Sequence, residues 1–427
     1  MRLRILPTLV VAVAVTAVLL AGAWMILSPG GPDLMKASFS LPAISPNASG
    51  DQNVTVISYS LRRPANVSIY FLDAHGRRFD FRNDQPRDAG DHQVDFSGIV
   101  APFSQPGDNF SAQLLARVLP DGAYTWVVEA QDSGGPSGRV TGPLTISNAD
   151  TALPDLKRLT VSPPVFSPNQ DGLDDRTRIN VWLDKTVASD GLRVSLISAN
   201  GAELPIAEAV SGIQPGQRGL HQYDYDGGID LGQIPPPDGT YTVTAEVEDL
   251  IGQKMSVTST LTIQNGGQPR ADIVNGIVQY SATTLQLGQT LYFTVTVENY
   301  GLAPIRTSGP FSGLVYNSMS QNYNALGDYE QSGVFRVGLM CQTCKSDYPW
   351  RWALGTADTL STTVDADGHT QYYLLPGQRV SVTGGVVLDQ IVESRNPQFF
   401  WVGLIHEDVE MVNDRVDPEY ITIVPNQ

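Results

Sequence analysis

The chain has 427 residues, of which 41% are hydrophobic and 17% are charged. It is too long for one typical domain and too apolar to be disordered, so we expect several folded units with sizeable cores. Lys and Arg number 27 against 44 Asp and Glu, which gives a formal charge of −17. Because no basic run that could follow phosphates lies beyond the N-terminus, we expect no nucleic-acid partner.

The first 30 residues predict a membrane segment. Arg2 and Arg4 precede an almost unbroken apolar run from Ile5 to Leu27, which as a helix is long enough to cross a hydrocarbon layer of roughly 30 Å. Ala21-Gly22-Ala23 has the small-x-small form that a signal peptidase reads, so a cleaved signal peptide is the alternative to a retained signal-anchor. The positive flank stays inside, which predicts a single-pass cell-membrane protein whose bulk is extracellular or periplasmic.

The first two thirds of the chain contain a repeat. Three matches occur in the same order and at similar separations, which indicates two tandem copies of one domain of about 110 residues. The matching stretches are Ser45 to Leu61 with Ser167 to Leu183, HQVDFSG from His92 with HQYDYDG from His221, and PDGAYTWVVEAQD from Pro120 with PDGTYTVTAEVED from Pro237.

Each copy has the pattern of an all-β domain. In TYTVTAEVED, which begins at Thr240, apolar and polar residues alternate with the period of a strand that has one buried face. Asn200-Gly201 is a strong hairpin-turn signal after another strand. Short strands separated by Pro and Gly turns predict an immunoglobulin-like (Ig-like) β-sandwich.

The second copy resembles a known domain family. The order FSPNQDGLDD (Phe166 to Asp175), an Asp/Gly turn with an aromatic residue, and DGTYTVTAEVED is similar to the Ig-like domain of flagellar hook-capping proteins and of many exported multidomain proteins. The match covers Val161 to Gln264, and the first copy is degenerate at the acidic turn. The resemblance implies a sandwich used as a spacer or assembly module, without catalysis.

The last part of the chain has a different pattern. LQLGQTLYFTVTVENYGLAPI from Leu285 and LLPGQRVSVTGGVVLD from Leu374 resemble the adhesion-type (CARDB-like) Ig-like domains of bacterial surface proteins. The stretch at about 310–367 departs from that pattern as a long insertion. The predicted organisation is a transmembrane helix at 1–30, a linker at 31–37, Ig-like domain 1 at 38–148, a linker at 149–160, Ig-like domain 2 at 161–264, a linker at 265–270 and a larger Ig-like C-terminal domain at 271–427.

The stretch SPNQDGLDD contains the strongest candidate metal site. Asn169, Asp171, Asp174 and Asp175 offer oxygen ligands within a few residues, and Gly172 permits the tight turn that a Ca²⁺ site requires. We expect a metal-free turn in which Asn and Asp bond their own backbone amides, and structural Ca²⁺ at these residues is the alternative. The first copy keeps the turn-forming residues but loses most of the carboxylates, so this alternative applies only to the second copy, and no other cofactor is expected.

Two further candidate sites lie in the C-terminal domain. Cys341 and Cys344, which are all the cysteines of the chain, are predicted to form a small disulfide; a redox pair is the alternative. Trp350, Trp352 and Trp401 are candidate ligand contacts, because exposed Trp rings stack on sugars. The two tryptophans that alternate along one strand are equally suited to a core.

These patterns predict a non-catalytic, membrane-anchored structural or interaction protein. Its expected partners are envelope or surface proteins, itself, or a polysaccharide. A carbohydrate-binding adhesin that uses the aromatic residues is one alternative, and an exported enzyme or redox protein that uses the C-x-x-C motif is the other. Enzyme motifs such as G-x-S-x-G, H-E-x-x-H and the phosphate-binding Gly loop are absent from the sequence.

Overall fold

The computed structural model describes residues 34–50, 52–132, 135–210, 212–365 and 367–426. The predicted N-terminal membrane helix lies outside these ranges. Within them, no helix is both long enough and apolar enough to span a bilayer. The described chain is built of strands, and its helical segments are short 3-10 turns at Ile229–Leu231, Val274–Gly276, Tyr323–Leu326 and Glu393–Arg395. The fold class is all-β.

The first copy is a sandwich of two sheets. One sheet has the strand order β1-β3-β6 and the other β2-β10-β9-β4-β5. Tyr59, Phe71 and Trp126 are buried between them. The strands are β1 (Leu34–Phe39), β2 (Ala43–Ile44), β3 (Thr55–Leu61), β4 (Ala65–Leu72), β5 (Arg78–Arg87), β6 (Gly90–Phe96), β7 (Ile99–Val100), β8 (Gln113–Val118), β9 (Gly122–Asp132) and β10 (Gly135–Ile146).

The second copy repeats this arrangement. Its sheets have the orders β11-β13-β16 and β15-β14-β17-β18, with β12 parallel to the end of β18 as β2 is to β10. The strands are β11 (Leu156–Ser162), β12 (Val165–Phe166), β13 (Thr177–Leu183), β14 (Leu192–Ile197), β15 (Glu203–Ile206), β16 (Gly219–Tyr225), β17 (Gly239–Glu248) and β18 (Lys254–Ile263). The tandem repeat in the sequence is therefore a repeat of topology.

The shared PDG-x-Y motif has the same contacts in both copies. The Tyr124 hydroxyl donates to the Pro120 carbonyl at 2.9 Å, and the Tyr241 hydroxyl donates to the Pro237 carbonyl at 2.7 Å. A Tyr bonded to the backbone a few residues upstream is the tyrosine corner that fixes a Greek-key crossing in Ig-like sandwiches. The motif therefore locks the start of β9 and of β17 in the same way.

The first and second copies share a sheet. Strand β8 leaves the first sandwich and pairs antiparallel with β18 of the second, and β7 pairs with β8. The Gln253 side chain joins the same junction, since its carbonyl oxygen accepts from the Val118 amide at 3.4 Å. Pairing β8 with β18 covers a free sheet edge and joins the two domains through backbone hydrogen bonds.

The C-terminal domain has two facing sheets and a small third one. Their orders are β19-β22-β29-β24, β21-β31-β30-β25-β26 and β23-β28-β27, with β20 beside β22. The strands are β19 (Ala271–Ile273), β20 (Gln279–Tyr280), β21 (Thr284–Gln286), β22 (Thr290–Asn299), β23 (Ile305–Thr307), β24 (Val315–Tyr316), β25 (Phe335–Cys341), β26 (Trp350–Ala353), β27 (Ser361–Val364), β28 (Thr370–Leu374), β29 (Arg379–Val387), β30 (Gln398–His406) and β31 (Glu410–Val424).

The predicted linkers and the predicted insertion have other bounds in the structure. Residues 34–37 and 156–160, assigned above to linkers, lie in β1 and β11, because Leu34 and Leu156 are buried in the cores of the two sandwiches. The stretch assigned to an insertion supplies β25 and β26, which pair with β30 through β25 in a central sheet. These strands belong to the main sandwich because their alternate side chains fill its core.

Candidate functional site at the second domain junction

The predicted metal-binding turn is held by hydrogen bonds to its own backbone. The Asp175 carboxylate accepts from the Asn169 amide at 3.3 Å and the Asp171 amide at 3.2 Å through one oxygen, and from the Gly172 amide at 2.6 Å through the other. Asp171 Oδ1 accepts from the Leu173 amide at 2.9 Å. This geometry favours the metal-free turn, and calcium binding remains the alternative.

Asp174 differs from the other three predicted ligands. Its backbone carbonyl accepts from the Ser167 amide at 2.8 Å and closes the turn, whereas Asn169 and Asp171 are buried. Asp174 also lies at a positive φ of 51°. The four predicted residues therefore form one turn, with three side chains bonded inward and the fourth contributing its backbone.

The turn also fixes the linker that leaves the second sandwich. The Pro168 carbonyl accepts from the Gly267 amide at 3.1 Å. The Asp238 carboxylate of the PDG motif accepts from the amides of Asn265 at 2.8 Å and Gly266 at 2.9 Å. These bonds tie the linker to the turn and to the start of β17, so the path of the chain into the C-terminal domain is set by the second sandwich.

Arg306 is the centre of the contact with the C-terminal domain. Its Nε donates to the Asp171 carbonyl at 2.7 Å, and its Nη2 donates to the Ser332 carbonyl at 2.7 Å. Nη1 donates to Gln371 at 3.1 Å and is paired with Glu330. The side chain is 2% exposed. A buried arginine with all these donors satisfied fixes the relative position of the groups it joins.

His406 makes a second bond across the junction. Its Nε2 donates to the Gln170 carbonyl at 2.8 Å, and its ring stacks on Phe335 at 4.1 Å between centroids. Burial lowers the pKa of His406 to about 4, so the ring is neutral near pH 7. A neutral imidazole with its proton on Nε2 is a satisfied donor here, which suits a structural contact.

The backbones of the two domains touch at a pair of glycines. A Cβ atom on Gly172 would lie 2.2 Å from the Ser332 carbonyl oxygen, and a Cβ atom on Gly333 would lie 2.2 Å from the carbonyl carbon of Asp171. Both glycines also have a positive φ, of 84° and 72°. No side chain fits in this gap, so close approach of the two domains requires glycine at both positions.

Burial of the turn raises the pKa values of two of its carboxyl groups. Removal from water, and secondarily the neighbouring Asp175 carboxylate, raise the pKa of Asp171 from 3.8 to about 6. The pKa of Asp175 is also raised by burial, against the effect of the amides that donate to it. Both carboxylates therefore carry a desolvation cost at neutral pH.

A cleft of about 620 Å³, lined by both polar and apolar surface, opens beside this contact. It lies between the turn of the second sandwich and the small sheet of the C-terminal domain. Its carboxylates come from both domains: Asp171, Asp174, Asp365 and Asp367. Among the described residues, Glu330, Asp365 and His369 also bring their ligand atoms within 4.8 Å of one another, but Glu330 is already paired with Arg306.

The three tryptophans are not available for stacking on a sugar. Trp350 and Trp352 are fully buried, and Trp352 packs edge-on against Phe293 and Tyr316. Trp401 is 8% exposed and lies under the Arg415 guanidinium. The expectation of ligand contact at these residues was therefore wrong. Two of them fill the core between the sheets, and the third lies beneath Arg415 of β31.

The two cysteines form a disulfide between Cys341, at the end of β25, and Cys344. The motif therefore closes a turn after a strand and does not open a helix. Thr343 within the turn donates to the Gln398 side chain at 2.7 Å on the neighbouring strand. This placement favours the structural alternative over the redox one.

The residues that complete the site were not predicted from the sequence. Arg306, Gly333 and His406 lie far along the chain from the turn that they contact, and none belongs to a motif. A single weak signal existed: Arg306 directly follows the apolar residues from Leu302 to Ile305, at a place where a buried charge requires partners.

Comparison with protein-family models and with curated proteins gives no match. Among solved structures, the chain is similar to a Ca²⁺-stabilised adhesin that helps an Antarctic bacterium bind ice, with 12% identity over 92% of this chain and 75% of that one and a TM-score of 0.24. It is also similar to a tetra-tandem repeat from the extending region of a large adhesion protein (13% identity, 86% and 81%, TM-score 0.18). A two-domain fibronectin type III segment of chicken tenascin also matches (14%, 54% and 98%, TM-score 0.16). TM-scores this low assign neither a family nor a function.

Proposed function

We propose that the protein is a non-catalytic, membrane-anchored structural and interaction protein of the cell surface or periplasm. Two Ig-like sandwiches hold the larger C-terminal domain away from the membrane, where it contacts other envelope or surface proteins. The finer resemblance to hook-capping-type and adhesion-type Ig-like domains belongs to this proposal, and so do the N-terminal anchor and the predicted domain boundaries.

The observation that carries the proposal is the construction of the two junctions. The first is joined by pairing of β8 with β18, and the second by Arg306, His406 and the linker bonds. Flexible linkers would let the domains move independently. Sheet pairing and a buried charge hold neighbouring domains together at these junctions. This construction suits a protein whose function is to keep one domain at a set distance and orientation.

The same proposal assigns the acidic turn a structural role and no catalytic one. Asp171 and Asp175 have the raised pKa values that acid catalysts often have, but their oxygens accept from backbone amides within the turn. That bonding suits a turn that shapes an interface. A metal-free turn is part of this proposal, and structural calcium at the turn is the alternative that comparison of calcium with chelator tests.

The test is site-specific photo-cross-linking of the full chain on intact source cells. Cross-linking groups are placed at exposed positions of the C-terminal domain and, as a matched control, at exposed positions of the first sandwich, with calcium and with chelator. We expect a defined envelope or surface protein to be captured from the C-terminal domain only. Capture of polysaccharide alone, or of the same protein equally from the first sandwich, would contradict the display role.

A further inference from the structure

An apolar surface is exposed at the second junction. Leu231 and Ile234 of the second sandwich are 82% and 78% exposed, and Leu302 of the C-terminal domain is 83% exposed. Tyr300 and Val409 are also exposed. These five residues make up the junction patch. Single exposed apolar residues are normal, but a group of large ones together indicates an interaction surface.

The junction patch is continuous with the interface between the domains. The Gln268 side-chain Nε2 donates to the carbonyls of Gly232 at 2.8 Å and Gln233 at 3.2 Å, which places the Leu231 loop against the linker. On the other side, the Leu302 Cβ atom lies 3.6 Å from the position that a Cβ atom on Gly267 would take. A cleft of about 380 Å³ between them is lined by Tyr300 and Val409, and also by Gln170 of the interface.

The first junction shows how the equivalent surface is covered elsewhere in this chain. The connection between β6 and β9 in the first copy contains β7 and β8, which pair with the next sandwich. The equivalent connection between β16 and β17 is shorter and contains only the 3-10 turn Ile229–Leu231. It therefore supplies no strand to the C-terminal domain, and its apolar side chains stay exposed.

The cleft is lined by Asp230, which is paired with Arg176, and by two further charged residues that are opposite in sign. Arg270 and Glu410 both line it and both are exposed. Within the described parts of the chain, neither forms an ion pair. A twofold axis through the cleft would place Arg270 of each copy against Glu410 of the other, with the same patch buried on both sides. Such an isologous arrangement is the commonest way in which identical chains associate.

We infer that the junction patch is a homodimer interface, so that a second copy of this chain is its occupant. Leu231, Ile234 and Leu302 would pack against the same residues of the partner, flanked by the Arg270 and Glu410 pairs. This inference deepens the proposed function, on which it rests, by naming one partner and the surface that binds it. Such a dimer would join two chains at the junction and leave the remaining faces of the C-terminal domain for other contacts.

The test is sedimentation equilibrium of the full chain in density-matched detergent across a concentration series. We expect a reversible dimer. The double variant Leu231→Glu/Leu302→Glu should raise the dissociation constant at least about tenfold, because a central apolar contact is replaced by like charges. Val210→Glu is the control, since Val210 is fully exposed and lies outside the patch; it should dimerise as the wild type does.

A charge exchange tests the twofold geometry. Arg270→Glu and Glu410→Arg should each weaken the dimer, and the chain that carries both should recover wild-type affinity because the pair is restored in reversed order. A wild type that is monomeric throughout, a dimer indifferent to the patch variant, or a double exchange without recovery would each overturn the inference. Cross-linking of the C-terminal domain to an envelope protein in such a monomeric protein would leave the display role intact, so the two failures are distinguishable.

Discussion

The two copies of the repeat contain the same turn, the first from Asn47 to Asn53 and the second from Asn169 to Asp175. The Asn47 side chain accepts from the Ser49 amide at 2.9 Å, as Asn169 accepts from Asp171 at 3.0 Å. Asn53 and Asp175 each accept from the first residue of the turn at 3.3 Å. An amide side chain therefore performs in one copy the capping that a carboxylate performs in the other.

The copies differ in what lies beside the turn. The first turn is largely exposed, whereas the second is buried against the C-terminal domain and bonded to Arg306 and His406. The carboxylates are not needed to shape the turn. They occur in the copy whose turn lies at the interface with the C-terminal domain. An acidic turn that resembles an ion site in the sequence is thus also a way to place negative charge next to a buried arginine of the next domain.

Removal of Arg306 should have the largest effect. Arg306→Ala leaves the carbonyls of Asp171 and Ser332 without their donor and the buried Asp171 without the nearby positive charge. We expect a loss of about 3–5 kcal/mol in the free energy of unfolding, measured by urea denaturation. The control is Arg178→Ala, which removes an exposed pair with Asp224 and should leave the free energy of unfolding nearly unchanged, because surface ion pairs contribute little. Equal effects of the two substitutions would show that Arg306 is not a buried anchor.

Protonation of Asp171 should come next. Its pKa is raised from 3.8 to about 6, so the folded state binds this proton more tightly than the unfolded chain, and the carboxylate destabilises the fold as pH rises from about 4 to about 6. The difference in unfolding free energy between Asp171→Asn and wild type should favour the variant by up to roughly 3 kcal/mol above pH 6. It should shrink to nothing below pH 4.

The matched control for this pH effect is Ser49→Asn at the equivalent position of the first turn. Because Ser49 is exposed and uncharged, its difference from the wild type should be independent of pH over the same range. A gap for Asp171→Asn that widens as pH falls would mean that the folded state lowers this pKa, which contradicts the burial described here.

The glycine pair gives a smaller and more local effect. Gly172 and Gly50 are equivalent, with φ of 84° and 93°, but a Cβ on Gly50 would meet no atom within 4 Å. Both Gly→Ala variants incur the backbone cost of a positive φ. Gly172→Ala should cost a further 1–3 kcal/mol or so from overpacking, and hydrogen exchange should increase around Ser332. Similar costs for the two variants would show that the domains do not touch here.

Calcium should have the smallest effect. Both Asp175 oxygens already accept from amides, so an ion would have to displace bonds that hold the turn. We expect the same Tm in excess calcium and in chelator. A rise in Tm with calcium that disappears in Asp175→Asn and persists in Asn53→Ala would instead establish the predicted calcium site.

Local patterns predicted the all-β class, the tandem repeat and the turn itself, because alternation, PDG-x-Y and the Asn and Asp caps act within a few residues. The contacts of Asp171 with Arg306 and of Gln170 with His406 were not predictable, since they join residues with no shared pattern. The tryptophans show the same limit. Their alternation was compatible with a ligand face or a core, and only the facing sheet that carries Phe293 decides between them.

The central claim is that the second sandwich and the C-terminal domain form one rigid unit through the acidic turn. It is tested most directly by the distribution of distances between two spin labels, one on an exposed residue of β14 and one on an exposed residue of β29, in wild type and in Arg306→Ala. We predict a distribution in the wild type as narrow as that of a pair within one sandwich, and a broad one in the variant. A broad distribution in the wild type, or one that Arg306→Ala leaves narrow, would contradict the account.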